Sequence, residues 1–220
     1  LEAIEDRDAY IQAAVDAAAR ANRLDPRDRG LALELTMGVM RWQKRIDYAL
    51  GRFLQRGLSR TRPALLRVLR LAVYQLVFLD RIPDRAAVHT AVDLARSVGG
   101  KGGGKFVNGV LRSFLREGEA LPEGHEIEAL EIRWSHPGWF IEDLITREGF
   151  DFAESVCLSN NSPAPLTIRA SDSNVSRAEL IEALEAEGAA IRVGEHCPDA
   201  LHLSEHSNPF GSDTFKRGMW

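Results

Sequence analysis

The chain has 220 residues, 45% of them hydrophobic and 27% charged, with a net charge of −4 at pH 7. That size carries one large domain or two small ones, and no apolar run approaches the roughly 20 residues that a membrane-spanning helix needs. The opening LEAIEDRDAY has neither the basic nor the apolar region of a secretory signal. It reads as starting inside a helix, with the N-terminus trimmed.

Helical periodicity runs from Ile4 to about Arg116. Asp25–Pro26 predicts an N-cap with proline at the first helical position. The run LALELTMGVMRW then sets Leu31, Leu33, Leu35, Val39 and Trp42 near one stripe. A further helix follows through Ile46, Leu50, Phe53 and Leu54. Thr61–Pro63 announces PALLRVLRLAVYQLVFLD, which is apolar on nearly every side. This predicts the central helix of a bundle, with Leu69, Val73, Leu76 and Val77 buried. Ile82–Pro83 ends it, and Asp84 opens a helix that stops at Gly99–Gly100. A flexible glycine-rich turn and a last helix, KFVNGVLRSFLRE, complete the set. Short connections and no strand alternation make residues 1–118 a compact all-α bundle.

At Gly118 the composition turns acidic and Pro122 appears, which predicts a domain boundary between about Arg116 and Ser135. Residues 119–161 read as an acidic linker with helices, among them GWFIEDLITREG and the stretch from Asp151 to Asn161. Residues 162–220 change character. APLTIRA reads as a strand, and SRAELIEALEAEG as a helix with Ser176 as N-cap and Glu179 in the capping-box position. AAIRVG and ALHLS read as two more strands. A β-α-β unit plus a further strand begins a small α+β, ferredoxin-like layer. It reads as incomplete, because the tail HSNPFGSDTFKRGMW has turn chemistry and no closing element. The fold class is therefore mainly α.

The net charge hides an asymmetry. Residues 1–118 carry 21 Lys and Arg against 13 Asp and Glu, or +8, while residues 119–220 carry 7 against 19, or −12. Asp47 is the one acid among nine basic residues in 41–70: Arg41, Lys44, Arg45, Arg52, Arg56, Arg60, Arg62, Arg67 and Arg70. Several recur at steps of three, four and seven and so share a helical face. Clustered cations of this kind point to a polyanion such as an RNA phosphate backbone; a solvated, arginine-rich helix face is the alternative.

The stretch GGKGGGK places Gly99 and Gly104–Lys105 at the spacing of a nucleotide-binding phosphate loop. Phe106 stands where that loop needs Ser or Thr, and a helix precedes it where a strand should. The stretch reads instead as a basic turn ahead of a helix N-terminus, open to phosphate oxygens; a helix–helix turn with solvated lysines is the alternative. The candidate RNA contacts are Arg41, Lys44, Arg45, Lys101, Lys105 and Arg112.

No catalytic, cofactor or metal site emerges. His196, Cys197, His202 and His206 do not form a closed zinc set. Cys157 and Cys197 read as free thiols of a cytoplasmic protein, since a chain with a real core needs no staple. Neither has the partners of a nucleophile, and dinucleotide and triad signatures are lacking.

LTMGVMRWQKRIDYAL (35–50), LLRVLRLAVYQLVFLDRIPDRAAVHTAVDLAR (65–96) and KFVNGVLR (105–112) together resemble the NusB-like fold. Within that group they look most like the version fused to Sun/RsmB-type 16S rRNA (cytosine-5)-methyltransferases. HPGWFIEDLI (136–145) is similar to that family's linker helix, and SNNSPAPLTIR (159–169) to the approach to its small α+β domain. Ala164 departs from the usual Pro-Pro, and Ala170–Ser171 from Val-Asn. FKRGMW (215–220) resembles the sequence just before the methyltransferase domain. The resemblance implies S-adenosylmethionine as cofactor of the full-length parent, and two catalytic cysteines in Pro-Cys and Thr-Cys contexts that neither Cys157 nor Cys197 matches. This chain would then dock small-subunit rRNA for a methyltransferase domain attached in cis. The alternative is a non-enzymatic NusB-type factor of transcription antitermination or ribosome assembly. Such a factor has no use for residues 136–220.

Overall fold

The computed structural model describes residues 1–7, 9–171, 175–205 and 209–220, without the side chains of Asp6, Arg7, Ser204 and Glu205. The chain divides into two compact units, Leu1–Asn161 and Ser162–Trp220.

The first unit holds nine helices among its described residues: α1 (Glu2–Arg7), α2 (Ile11–Asn22), α3 (Pro26–Arg41), α4 (Gln43–Gly51), α5 (Pro63–Phe78), α6 (Asp84–Glu117), α7 (Ile127–Trp134), α8 (Gly138–Glu148) and α9 (Phe150–Asn161). Local chemistry places their starts. The Asp25 carboxylate accepts from the Asp28 backbone N–H at 2.7 Å, with Pro26 at the first helical position, and Pro63 opens α5 in the same way. α5 is the central helix and packs against α3, α4 and α6. Leu69, Ala72 and Val73 are fully buried in a core shared with Val39, Ile46, Leu50, Val107 and Leu111. Leu76 and Val77, expected to be buried, are only partly so. They lie in the last turn of α5, at the rim of the core, where Phe78 stacks between Trp42 and Tyr74 with ring centroids at 4.7 and 5.3 Å.

Arg70, on the buried side of α5, is matched rather than free. Its guanidinium donates to both Asp47 carboxylate oxygens at 2.7 Å and to Glu5 at 2.7 Å. Burial alone would lower its pKa; the hydrogen bonds and charge of Asp47 and Glu5 raise it. The same Glu5 accepts from Arg67 at 2.6 Å, so α1, α4 and α5 meet on one ionic cluster.

α6 is the expected pair of helices, the first ending at Gly99–Gly100, but a kink joins them in place of the expected loop. Helical geometry fails at Gly100 alone, with φ 67° and ψ −168°, a conformation open to glycine and almost no other residue. Gly102, Gly103 and Gly104 are helical, so the flexible glycine-rich turn shrinks to a kink between an arm of residues 84–99 and an arm of residues 101–117.

Residues 119–161 do not separate from the bundle as a linker would. α7, α8 and α9 have their own small core of Leu130, Ile141, Ala153 and Cys157, yet α7 also packs on α4. The expected break between Arg116 and Ser135 therefore divides two hydrophobic clusters, whereas the compact units divide after Asn161.

The second unit is an antiparallel sheet of β1 (Leu166–Ile168), β2 (Ala190–Val193) and β3 (Leu201–Glu205) in the order β1-β3-β2, with α10 (Arg177–Ala186) against it. Leu166 stands opposite Leu203, and Val193 opposite Leu201. β1 and β2 flank β3 and are joined through α10, a split β-α-β arrangement. Ser176 and Glu179 form the expected capping box. Residues 209–220 pack on this unit, where the sequence shows only turn chemistry. A 3₁₀ turn at Pro209–Gly211 leads into α11 (Asp213–Lys216), capped by Ser212. Met219 enters the core, its carbonyl accepting from Ser171 N–H at 2.9 Å. The Trp220 indole donates to Thr214, which Glu187 also holds. Those partners are remote in sequence, so no periodicity announced them.

Candidate nucleic-acid interface

The six predicted RNA contacts fall into two groups. Arg41, Lys44 and Arg45 lie at the end of α3 and the start of α4. Arg41 is exposed and has no ion-pair partner among the described residues. Lys44 pairs with Glu131 of α7. The Arg45 guanidinium forks onto Glu119 at 2.8 and 2.6 Å, lies 5.4 Å from the Trp42 ring and 5.3 Å from the Phe78 ring, and its backbone N–H donates to Ser135 at 3.0 Å. Charge counting misses this pairing. Residues 119–161 carry 10 Asp and Glu against 2 Lys and Arg, which offsets the +8 of residues 1–118 and leaves the first unit neutral.

Lys101, Lys105 and Arg112 form the second group, on the later arm of α6. The glycines bring the two arms into near contact. A Cβ on Gly103 would lie 2.8 Å from the Ala95 carbonyl oxygen, and one on Gly104 would lie 2.6 Å from Arg96 Cγ. That approach sets Arg96 across from Lys101, Lys105, Asn108 and Arg112 around a hollow of about 630 Å³. A neighbouring hollow of about 850 Å³ shares Arg96, Asn108 and Arg112 and adds Arg85 and His89. Arg112 donates to the Asn108 side chain at 3.3 Å. Arg96 pairs with Asp93 at 2.7 Å, while Lys101 and Lys105 have no ion-pair partner among the described residues. Both lysines are exposed. Such a surface can hold phosphate oxygens through charge and through N–H donors. Sequence reasoning missed Arg96 and Asn108, because their place depends on how the arms fold back and not on their own neighbours.

Cys157 is fully buried, and burial foremost, with Glu154 nearby, pushes its thiol pKa up, the opposite of activation. Cys197 is exposed and free. Among the described residues no three His, Cys, Asp or Glu side chains gather to hold a metal; His206, of the set weighed from the sequence, lies outside them. The stretch from Gly99 to Lys105 is no phosphate loop, since it sits inside a helical element.

Residues 1–116 match the model of the NusB family, and residues 136–208 match that of the RsmF/B-like methyltransferase ferredoxin-like domain. The second match takes in α8 and α9, although these pack into the first unit. Similar curated proteins include the probable ribosomal RNA small subunit methyltransferase B of Bacillus subtilis (strain 168), 35% identical over 91% of this chain and 45% of that protein. The probable enzyme of the same name from Synechocystis is 32% identical over 100% of this chain and 50% of its own length. The ribosomal RNA small subunit methyltransferase B of Pseudomonas putida is 30% identical over 91% and 45%. The chain thus spans about half the length of the curated relatives it matches. The crystal structure of PH0851 shares the fold, with a TM-score of 0.63 at 22% identity over 93% of this chain and 46% of that one.

Proposed function

The chain belongs to the NusB family and carries a ferredoxin-like domain of the RsmF/B type, and on that footing we propose that it is the RNA-docking part of a cytoplasmic, S-adenosylmethionine-dependent rRNA (cytosine-5)-methyltransferase. Small-subunit rRNA is the substrate it holds. The observation that carries this reading is the hollow on α6, where Lys101, Lys105 and Arg112 converge with Arg96 around Asn108. Of the six candidates, these three and Arg41 are the phosphate contacts, while Lys44 and Arg45 spend their charge on Glu131 and Glu119.

The methyl transfer belongs to a methyltransferase domain in cis outside this chain. The residues here do not suit S-adenosylmethionine. The described sheet is antiparallel throughout, whereas an adenosine cofactor of this kind calls for a strand running into a glycine turn at a helix N-terminus. The ferredoxin-like domain favours this reading over a free-standing antitermination factor.

A filter-binding titration of the 220-residue chain with a small-subunit rRNA fragment tests it. Lys101→Glu with Arg112→Glu should weaken binding at least about tenfold and flatten the salt dependence, by roughly 0.7 in log–log slope per lost contact on a single strand. Unrelated sequences should weaken alike, because phosphate contacts carry little sequence information. Unchanged affinity and slope would remove α6 as the RNA surface. Calorimetry with S-adenosylmethionine should show no saturable site.

A further inference from the structure

The two edges of the small sheet differ. β2 is guarded: its register against β3 shifts between Ala190 and Ile191, and an irregularity of this kind blunts an open edge. β1 keeps a regular register, from Leu166 opposite Leu203 to Ile168 opposite Leu201, and among the described residues no strand pairs with its other edge. Leu166 and Ala170 pack on the core of the unit yet are only partly buried. A regular edge of this kind presents backbone donors and acceptors to a further strand.

The last residues of the chain already turn toward that edge. α11 lies against α10. Thr214, 2% exposed, is pinned by Glu187, which accepts from its N–H at 2.8 Å and from its hydroxyl at 3.1 Å. Gly218 ends α11, donating to the Phe215 carbonyl at 2.9 Å, and its φ of +68° redirects the chain. Met219 then donates to the Thr214 carbonyl at 3.1 Å and enters the core at 6% exposure, while its own carbonyl accepts from Ser171 N–H at 2.9 Å. That last bond is a cross-strand bond just past the end of β1. Only the antiparallel direction leads from Ser171 back along β1, and about three further residues, at the rise of an extended chain, would reach it. Such a strand runs parallel to β3. With α11 it makes across β1 the strand–helix–strand unit that β1, α10 and β2 make across β3. We propose that the outer edge of β1 seats the residues that follow Trp220, which add a strand to the sheet and tether the next domain directly to it. The inference rests on the reading that a methyltransferase domain follows in cis, and adds to it the place where the two join.

Hydrogen exchange read by mass spectrometry tests this on the full-length protein of the natural reading frame and on the 220-residue chain. Residues 164–171 should exchange at least about tenfold more slowly in the full-length protein, because edge amides gain partners there, while α10 exchanges alike in both. Ser171→Pro removes the donor that starts the pairing and should return this segment of the full-length protein to the rate of the shorter chain. Ser171→Ala keeps the donor and should leave the rate slow. Equal exchange of residues 164–171 in the two wild-type chains, or protection that survives Ser171→Pro, would overturn the proposal. If α10 also loses protection in Ser171→Pro, that variant has misfolded and the wild-type comparison decides. If a methyltransferase domain follows and the two wild-type rates are equal, the docking reading stands and this seat falls. If the natural reading frame ends at Trp220, both fall.

Discussion

Arg45 illustrates what a count of charges cannot say about one residue. Its spacing from Arg41 and Arg52 puts it on a basic stripe, yet its guanidinium is forked onto Glu119 and lies beside the stacked rings of Trp42 and Phe78. The side chains of Arg45 and Glu119 are 19% and 16% exposed, so each would be left with a poorly solvated partner if the other were removed. Arg45→Ala and Glu119→Ala should each lower the unfolding free energy by about 1–3 kcal/mol, the range for stranding a partly buried charge. The double mutant should lose less than the sum, because no orphan charge remains. Urea denaturation of the four proteins measures this. Strict additivity would mean that the pair is not coupled. RNA affinity of Arg45→Ala should stay within about twofold of wild type, since its charge is already spent within the fold.

At the scale of elements, features fixed by near neighbours were legible in the sequence. Asp25–Pro26, Pro63 and the Ser176–Glu179 box all start helices where their chemistry says they should. The glycine run 102–104 was misread, because glycine promotes turns by its freedom and permits close packing by its missing side chain, and only the fold decides between these. The two uses give opposite forecasts for neighbouring residues. A Cβ at Gly102 meets nothing within 4 Å, so Gly102→Ala should stabilise by up to about 1 kcal/mol through helix propensity. A Cβ at Gly103 meets the Ala95 carbonyl, which is backbone and cannot swing away. Gly103→Ala should therefore cost roughly 1–3 kcal/mol. Thermal melts of the two variants check this. If both stabilise, the segment is a loose turn after all. The RNA hollow was half legible for the same reason: Lys101, Lys105 and Arg112 share one arm, whereas Arg96 joins them only through the fold-back.

For the whole molecule, charge and packing give different borders, and packing decides how the chain comes apart. Composition turns acidic at Gly118, but that acidity is used on the bundle: Glu119 holds Arg45 and Glu131 holds Lys44. Arg133 ties the intervening loop down by donating to the carbonyls of Pro122 and Gly124 at 3.2 and 3.0 Å. Residues 162–165 are instead exposed between two units with separate cores. A protease needs the chain to open locally, and opening is cheapest where few buried contacts must break. Limited digestion with a protease of broad specificity should therefore cut first near residues 162–165 and leave a stable fragment ending close to Asn161. Mass spectrometry of the early products decides. A long-lived fragment ending between Arg116 and Glu126 would mean that the ion pairs of α7 with α4 do not hold, and that the acidic helices leave the bundle as a body of their own.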